Sequence, residues 1–285
     1  MKQKKITANF FWNNSKLSIY EYSCLKSFIQ NNFRVNVYSF VKIKLPKGAI
    51  LQDASKILKK IEINKLIHQG KRGCLAAFAD RFRIELLKKK RGWWFDMDVL
   101  CLKKSSAFVA LEKRNNLIIG LETSREVNNA VLQIKDVELL EKISKEILKS
   151  KRIIKWGEIG PKLITKVLKD NNMFSKAFPK SFFYPINYFN FKYLLLPKYY
   201  GEAKKICKDS YTSHNYNEIL NRFGIPKNIM PPKGSFLHKC FLNIAPELKS
   251  KECLPEKTAI RLLEGTNGFK ENLKDLIPSL IRSFK

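Results

Sequence analysis

The chain lacks any stretch approaching the roughly 18 uninterrupted apolar residues of a membrane span. Its first residues, MKQKKITANFFWNNS, pass from lysine into a short strand-like run without an apolar signal core. These absences predict a cytoplasmic protein. Cysteine is sparse: the six residues, at 24, 74, 101, 207, 240 and 253, form no C-x-x-C pair, which predicts reduced thiols and argues against a structural zinc site. No low-complexity linker or internal repeat divides the chain. An RNA-binding signature and a basic amphipathic membrane helix are also missing, so nucleic acid is not an expected partner. Acidic residues are few, 25 against 55 lysines and arginines.

What is present is a 285-residue chain, 45% apolar and 12% aromatic, with ample material for a buried core. The formal charge of +30 predicts attraction to anionic partners, whether nucleotides, phospholipid head groups or nucleic acid, and does not say which. Lysine spread through the chain with asparagine and isoleucine is equally what a biased genomic composition produces. Residues 6–12 read as a strand, with the polar NNS after them as a helix cap, and Leu17, Tyr20, Cys24, Leu25 and Phe28 recur at helical spacing. RVNVYSF alternates as a second strand, and strand–helix–strand order predicts a right-handed crossover and a parallel sheet. Asp53 and Ala54 are expected to begin a helix carrying Ile57, Leu58 and Ile61. After the breaker QGKRG, CLAAFADRFRIELLKKKRG reads as an amphipathic helix stopping at Gly92. Downstream, NNLIIGLET and NNAVLQI read as strands, VELLEKISKEILKSK as a helix, and WGEIGPKLITKVLKDNN as a Gly-Pro turn opening another.

Between these elements lies GWWFDMDVLCL, which places two of the chain's eight aspartates in its most aromatic stretch. A charge taken out of water costs several kcal/mol unless compensated, so Asp96 and Asp98 need a partner. On a single strand over 93–100 they would share a face with Cα atoms about 6.5–7 Å apart. Such a pair can share one hard divalent cation, Mg2+ or Mn2+, that leaves positions for phosphate oxygens. In an open parallel sheet ligands gather at the carboxyl ends of strands, and this pair sits late on its strand.

The run FADRFRIELLKKKRGWWFDMDVLCL resembles the DXD-motif sugar-binding glycosyltransferases, a family that includes α-1,4-glycosyltransferases and bacterial capsular polysaccharide synthesis proteins. FFWNNSKLSIYEYSCLKSFIQNNFRVNVYSF, LPKGAILQDASKIL, WGEIGPKLIT and SHNYNEILNR resemble further blocks in the same order, so the likeness covers residues 6 to about 240. It implies an α/β GT-A fold, a mainly parallel Rossmann-like sheet flanked by helices. The expected organisation is a single domain over 1–250 with a C-terminal helical extension over 251–285. It also implies a nucleotide-sugar donor, a glycan or lipid-linked glycan acceptor at the cell surface, Mn2+ or Mg2+, and retention of anomeric configuration. By the same likeness Asp98 ligates the metal, Asp96 reaches the donor and the metal's water shell, and His214 completes the metal site. Asp80 and Arg83 hold the donor sugar, Trp12 and Asn13 approach the base, and Asn129, beside Asn128, lines the donor pocket. No nucleophile is assigned, and His68 and His238 carry no such context. The chain departs from the family pattern at Asn13, where glycine is common, and at Tyr216, where tryptophan is common. Two other readings remain open: a metal-dependent phosphoesterase or nuclease using the same aspartates, and a non-catalytic basic protein that binds RNA or a membrane surface. Peripheral attachment to an anionic inner membrane is compatible with the charge.

Overall fold

The computed structural model describes residues 5–65, 67–68 and 75–264. β1 (Thr7–Phe11) and β2 (Arg34–Ser39) pair in parallel, from Thr7 opposite Arg34 to Phe11 opposite Tyr38, and α1 (Ile19–Gln30) crosses between them. Both strands are almost wholly buried, as strands covered on two faces must be, and their buried polar side chains meet across the pair, Asn36 donating from Nδ2 to Asn9 Oδ1 at 3.2 Å. The first helix does not take its cap from Asn13–Ser15. Ser18 caps it instead, accepting from the Tyr20 N–H while the Glu21 carboxylate accepts from the Ser18 N–H, a reciprocal capping box.

Asp53 and Ala54 do not begin a helix: Ala49–Asp53 is β3, a parallel edge strand on β2, and short 3-10 turns at Ala54–Lys56 and Lys60–Lys65 follow it. Pairing with β2 outweighs the helical spacing, and Ile57 turns into the core while Ile61 stays 65% exposed. The breaker QGKRG and Cys74 lie outside the described residues. β4 (Ile67–His68) precedes α2 (Ala76–Lys88), whose chain reverses through Lys90 (φ +53°) and Gly92 (φ +99°). A Cβ at Gly92 would come 2.6 Å from the Thr7 carbonyl oxygen, so only glycine lets the chain enter the sheet beside β1.

WWFDMDVLCL is not one strand either. β5 (Trp93–Phe95) lies parallel to β1, residues 96–98 turn, and β6 (Val99–Cys101) leaves the sheet to pair antiparallel with β10 (Thr212–His214). The turn closes with the Val99 N–H on the Asp96 carbonyl at 3.1 Å. After α3 (Ser105–Arg114) the hairpin of β7 (Leu117–Thr123) and β8 (Glu126–Ile134) completes the sheet, with β8 antiparallel to β5. The order is β3-β2-β1-β5-β8-β7, mostly parallel with a reversed strand beside its centre.

α4 (Val137–Leu148), capped by Asp136, and α5 (Leu163–Asp170) cover one face with α2, and the two-residue β9 (Ile153–Ile154) pairs with β4. A second apolar cluster joins Tyr20 and Cys24 of α1 to α6 (Lys192–Leu195), α7 (Tyr200–Cys207), α8 (Asn217–Arg222), α9 (Phe236–Ile244) and α10 (Glu256–Glu264). Of the C-terminal extension, α10 buries Ala259 in this same cluster, and residues 265–285 lie outside the described residues. The five described cysteines are free, with Cys24, Cys101 and Cys207 buried. No described helix is long and apolar enough to cross a membrane.

Candidate active site

The carboxyl end of β5 lies between parallel β1 and antiparallel β8, where strand direction changes and the flanking chain diverges. A cavity of about 260 Å³ opens there. Its walls come from α2, the 96–98 turn, the β7–β8 hairpin, the turn around Gly157 and Pro161, and the segment from Tyr188 to Ile219.

The first partner of the aspartates is a side chain. Arg83, 4% exposed, sits 3.2 Å from Asp80 Oδ1 and 3.2 Å from Asp96 Oδ1. It also donates to the Asn129 carbonyl at 2.6 Å and lies 5.0 Å from the Trp94 ring centre. Asn129 donates from Nδ2 to Asp80 Oδ1 at 2.9 Å, and Trp94 donates from Nε1 to Asp96 Oδ1 at 2.6 Å. One guanidinium therefore ties α2, β5 and β8 together through charge-assisted bonds. Burial nevertheless pushes the Asp96 carboxyl up; Arg83 pulls it back and the neighbouring Asp98 charge raises it further.

Asp98 is held from the other side. His214 Nε2 lies 3.1 Å from its Oδ1, and the Asn217 N–H at the start of α8 donates to its Oδ2 at 2.8 Å. Burial works to raise this carboxyl, but the His214 charge and hydrogen bond together with the Asn217 amide lower it to about 2. Burial likewise works to lower His214, and Asp98 outweighs it, so the imidazole is raised. The β6–β10 pairing, His214 opposite Val99, is what brings a residue 116 positions away onto Asp98.

Ligand atoms of Asp96, Asp98 and His214 lie within 4.8 Å of one another, the candidate cation site among the described residues. Neighbouring ligands on a Mg2+-sized ion, at about 2.1 Å each, stand about 3 Å apart, and the 3.1 Å between His214 Nε2 and Asp98 Oδ1 matches that. Two carboxylates and an imidazole suit Mn2+ and leave coordination positions for other oxygens. The residues fit a divalent cation.

Asp80, Arg83, Asp96, Asp98, Asn129 and His214 all line the cavity. Trp12 and Asn13 are not among its lining residues: the Trp12 indole donates to the Lys16 carbonyl, and Asn13 Oδ1 accepts from the Phe40 N–H at 3.3 Å, tying their loop to the end of β2. His238 is buried as the residue whose N–H Ser235 caps on α9. Sequence reasoning missed Glu122, Glu126 and Tyr188, which also line the cavity. Burial pushes the Glu122 carboxyl up, with the Asn128 amide pulling it back. Acidic residues on a hairpin of a chain otherwise so basic were the available signal. The Gly-Pro block also acquires a reason, because a Cβ on Gly160 would meet Asp80 Oδ2 at 2.5 Å. Thr165 locks that turn to the sheet, donating to the Pro161 carbonyl and accepting from the Val127 N–H.

The sheet order, its reversed β8 and the carboxylates beyond β5 describe an α/β fold with an acidic site at the carboxyl end of a parallel strand. Residues 135–230 match the family model described as the alpha 1,4-glycosyltransferase conserved region, a stretch that runs from α4 through α8 and includes Gly160, Pro161 and His214. Asp80, Asp96 and Asp98 precede it. Among solved structures the chain is similar to WbbM bifunctional glycosyltransferase in its apo form, at 12% identity and a TM-score of 0.45, over 85% of this chain and 50% of that one. This chain thus spans half of that protein's length. No curated protein matches in sequence.

Proposed function

We propose that the protein is a metal-dependent glycosyltransferase that moves a sugar from a nucleotide-sugar donor to a glycan or lipid-linked glycan acceptor of the cell surface, with retention. The observation that carries this reading is the convergence of Asp96, Asp98 and His214 on one point of a cavity that also holds the Asp80–Arg83 pair. Asp98 and His214 would ligate Mn2+ or Mg2+, with Asp96 beside them. When bound, the cation supplies positive charge against the departing diphosphate. Arg83 holds Asp80 and Asp96 in fixed positions, so their free lone pairs are oriented before a donor arrives. Asn217, through its backbone N–H, keeps Asp98 from rotating away. As a ligand His214 would have to be neutral, and so would give up the proton that Asp98 favours on it.

The phosphoesterase reading needs a second cation or more ligands, and among the described residues the ligating cluster stops at three. We further propose attachment of the enzyme to the anionic cytoplasmic face of the inner membrane, on the strength of the +30 charge. Sedimentation with vesicles should rise with their anionic lipid content; insensitivity to that content removes the proposal. Turnover is tested with purified protein, Mn2+ and a panel of nucleotide sugars. The wild type should consume at least one donor, and Asp98→Asn should lose metal-dependent donor binding while melting as a folded protein. Full activity in that variant defeats the metal assignment.

A further inference from the structure

The β7–β8 hairpin contributes polar atoms to the cavity that neither the cation nor the Arg83 network uses. Glu122 Oε1 and the Tyr188 hydroxyl are both buried with no hydrogen-bond partner among the described residues, and both side chains line the cavity. Asn128 fixes the first. Its Oδ1 accepts from the Ala130 N–H at 2.8 Å, so its amide nitrogen faces Glu122 and donates to Oε2. One carboxylate oxygen is thereby anchored and the other left needing a donor. Tyr188, 6% exposed, is packed against Phe189 and Tyr216, which denies its hydroxyl an escape to water. Orphaned buried groups of this kind are uncommon in folded proteins, because each forfeits its hydration with nothing in exchange.

We propose that Glu122 and Tyr188 form a subsite for a saccharide hydroxyl, and that Glu122 makes it selective for a neutral sugar over the corresponding uronic acid. The proposal rests on the glycosyltransferase reading and deepens it. A sugar hydroxyl donates and accepts at once, so it can give its hydrogen to Glu122 Oε1 and take one from the Tyr188 hydroxyl. A uronate carboxylate has no hydrogen to give. It would meet a carboxylate, with Glu126 lining the same cavity, and the positive charges that act on the two, His214 and Lys180 on Glu122 and Lys162 and Lys169 on Glu126, do not outweigh the burial of either. Selection would arise from repulsion of the wrong ligand as much as from attraction of the right one.

The test is saturation-transfer NMR with Mg2+ present, on wild type, Glu122→Gln and Tyr188→Phe. The probes are methyl glucoside, galactoside, mannoside and N-acetylglucosaminide, with methyl glucuronide and galacturonide as counterparts. At least one neutral glycoside should bind the wild type about tenfold more tightly than its uronate. Glu122→Gln should bring that ratio below about threefold, and Tyr188→Phe should weaken neutral glycoside and uronate alike. Displacement of the glycoside by UDP-glucose or UDP-galactose assigns the subsite to the donor's sugar, and persistence assigns it to the acceptor. Equal binding of uronate and neutral sugar, no glycoside binding to folded wild type, or an unchanged ratio in Glu122→Gln overturns the subsite. Nucleotide-sugar turnover by the wild type would survive any of those results, which separates this failure from failure of the glycosyltransferase reading.

Discussion

Replacing Arg83 by methionine keeps most of the volume and the stacking on Trp94 but removes the charge that Asp80 and Asp96 share. Arg83 and Asp80 keep only 4% and 9% of their side-chain exposure, so solvent cannot substitute for the lost cation at Asp80. Asp96 keeps 28%, so water relieves part of its penalty. Stripping one partner from a buried pair costs about 3–5 kcal/mol, and the wetter aspartate argues for the lower end, about 3 kcal/mol. The Asn129 carbonyl also loses a 2.6 Å donor, adding about 1 kcal/mol. A total near 4 kcal/mol should lower the melting temperature of a protein this size by about 10 °C. Urea unfolding of wild type, Arg83→Met, Asp80→Asn and the double variant gives the pairwise coupling, expected at about 1–3 kcal/mol. A single-variant loss below about 1 kcal/mol, or additivity in the cycle, would refute the claim that Arg83 is the charge holding this site together.

Two further predictions concern neighbouring residues. Asp98, lowered to about 2 from the ordinary aspartate value of 3.8, contributes stability that is fully present above about pH 5 and lost as pH falls through 2. In metal-free protein, the difference between wild type and Asp98→Asn should be about 2 kcal/mol at pH 5 and about 1 kcal/mol at pH 3 by urea titration, and a difference that grows on acidification contradicts the pairing. Gly160→Ala should force the 158–162 turn off Asp80, costing about 1–3 kcal/mol and weakening donor binding; a variant with unaltered melting and donor affinity would mean that turn does not shape the site.

The parallel β1–α1–β2 unit was legible because its periodicities are strong and local: alternation in RVNVYS, helical spacing from Tyr20 to Phe28. β3 went unforeseen because AILQD has no decisive period, and only pairing with β2 makes it a strand. The break of WWFDMDVLCL into β5, a turn and β6 was invisible for the same reason, since the partner that captures Val99–Cys101 lies more than a hundred residues downstream. Resemblance named Asp96, Asp98 and His214 together. Composition and spacing alone offered Asp96 and Asp98 as a pair on one strand face.

The sequence by itself determined that two aspartates would stand amid aromatic residues after an amphipathic helix, and that something had to compensate them. Tertiary structure decided what does so: Arg83 one turn beyond Asp80 on α2 reaches Asp96, and β10 delivers His214 to Asp98. It also decided that Glu122 and Tyr188 face the same cavity. The physical reason is that a charge's need for a partner is local and written in its own neighbourhood, whereas the partner's identity depends on which distant segments the sheet and its crossovers bring within about 3 Å.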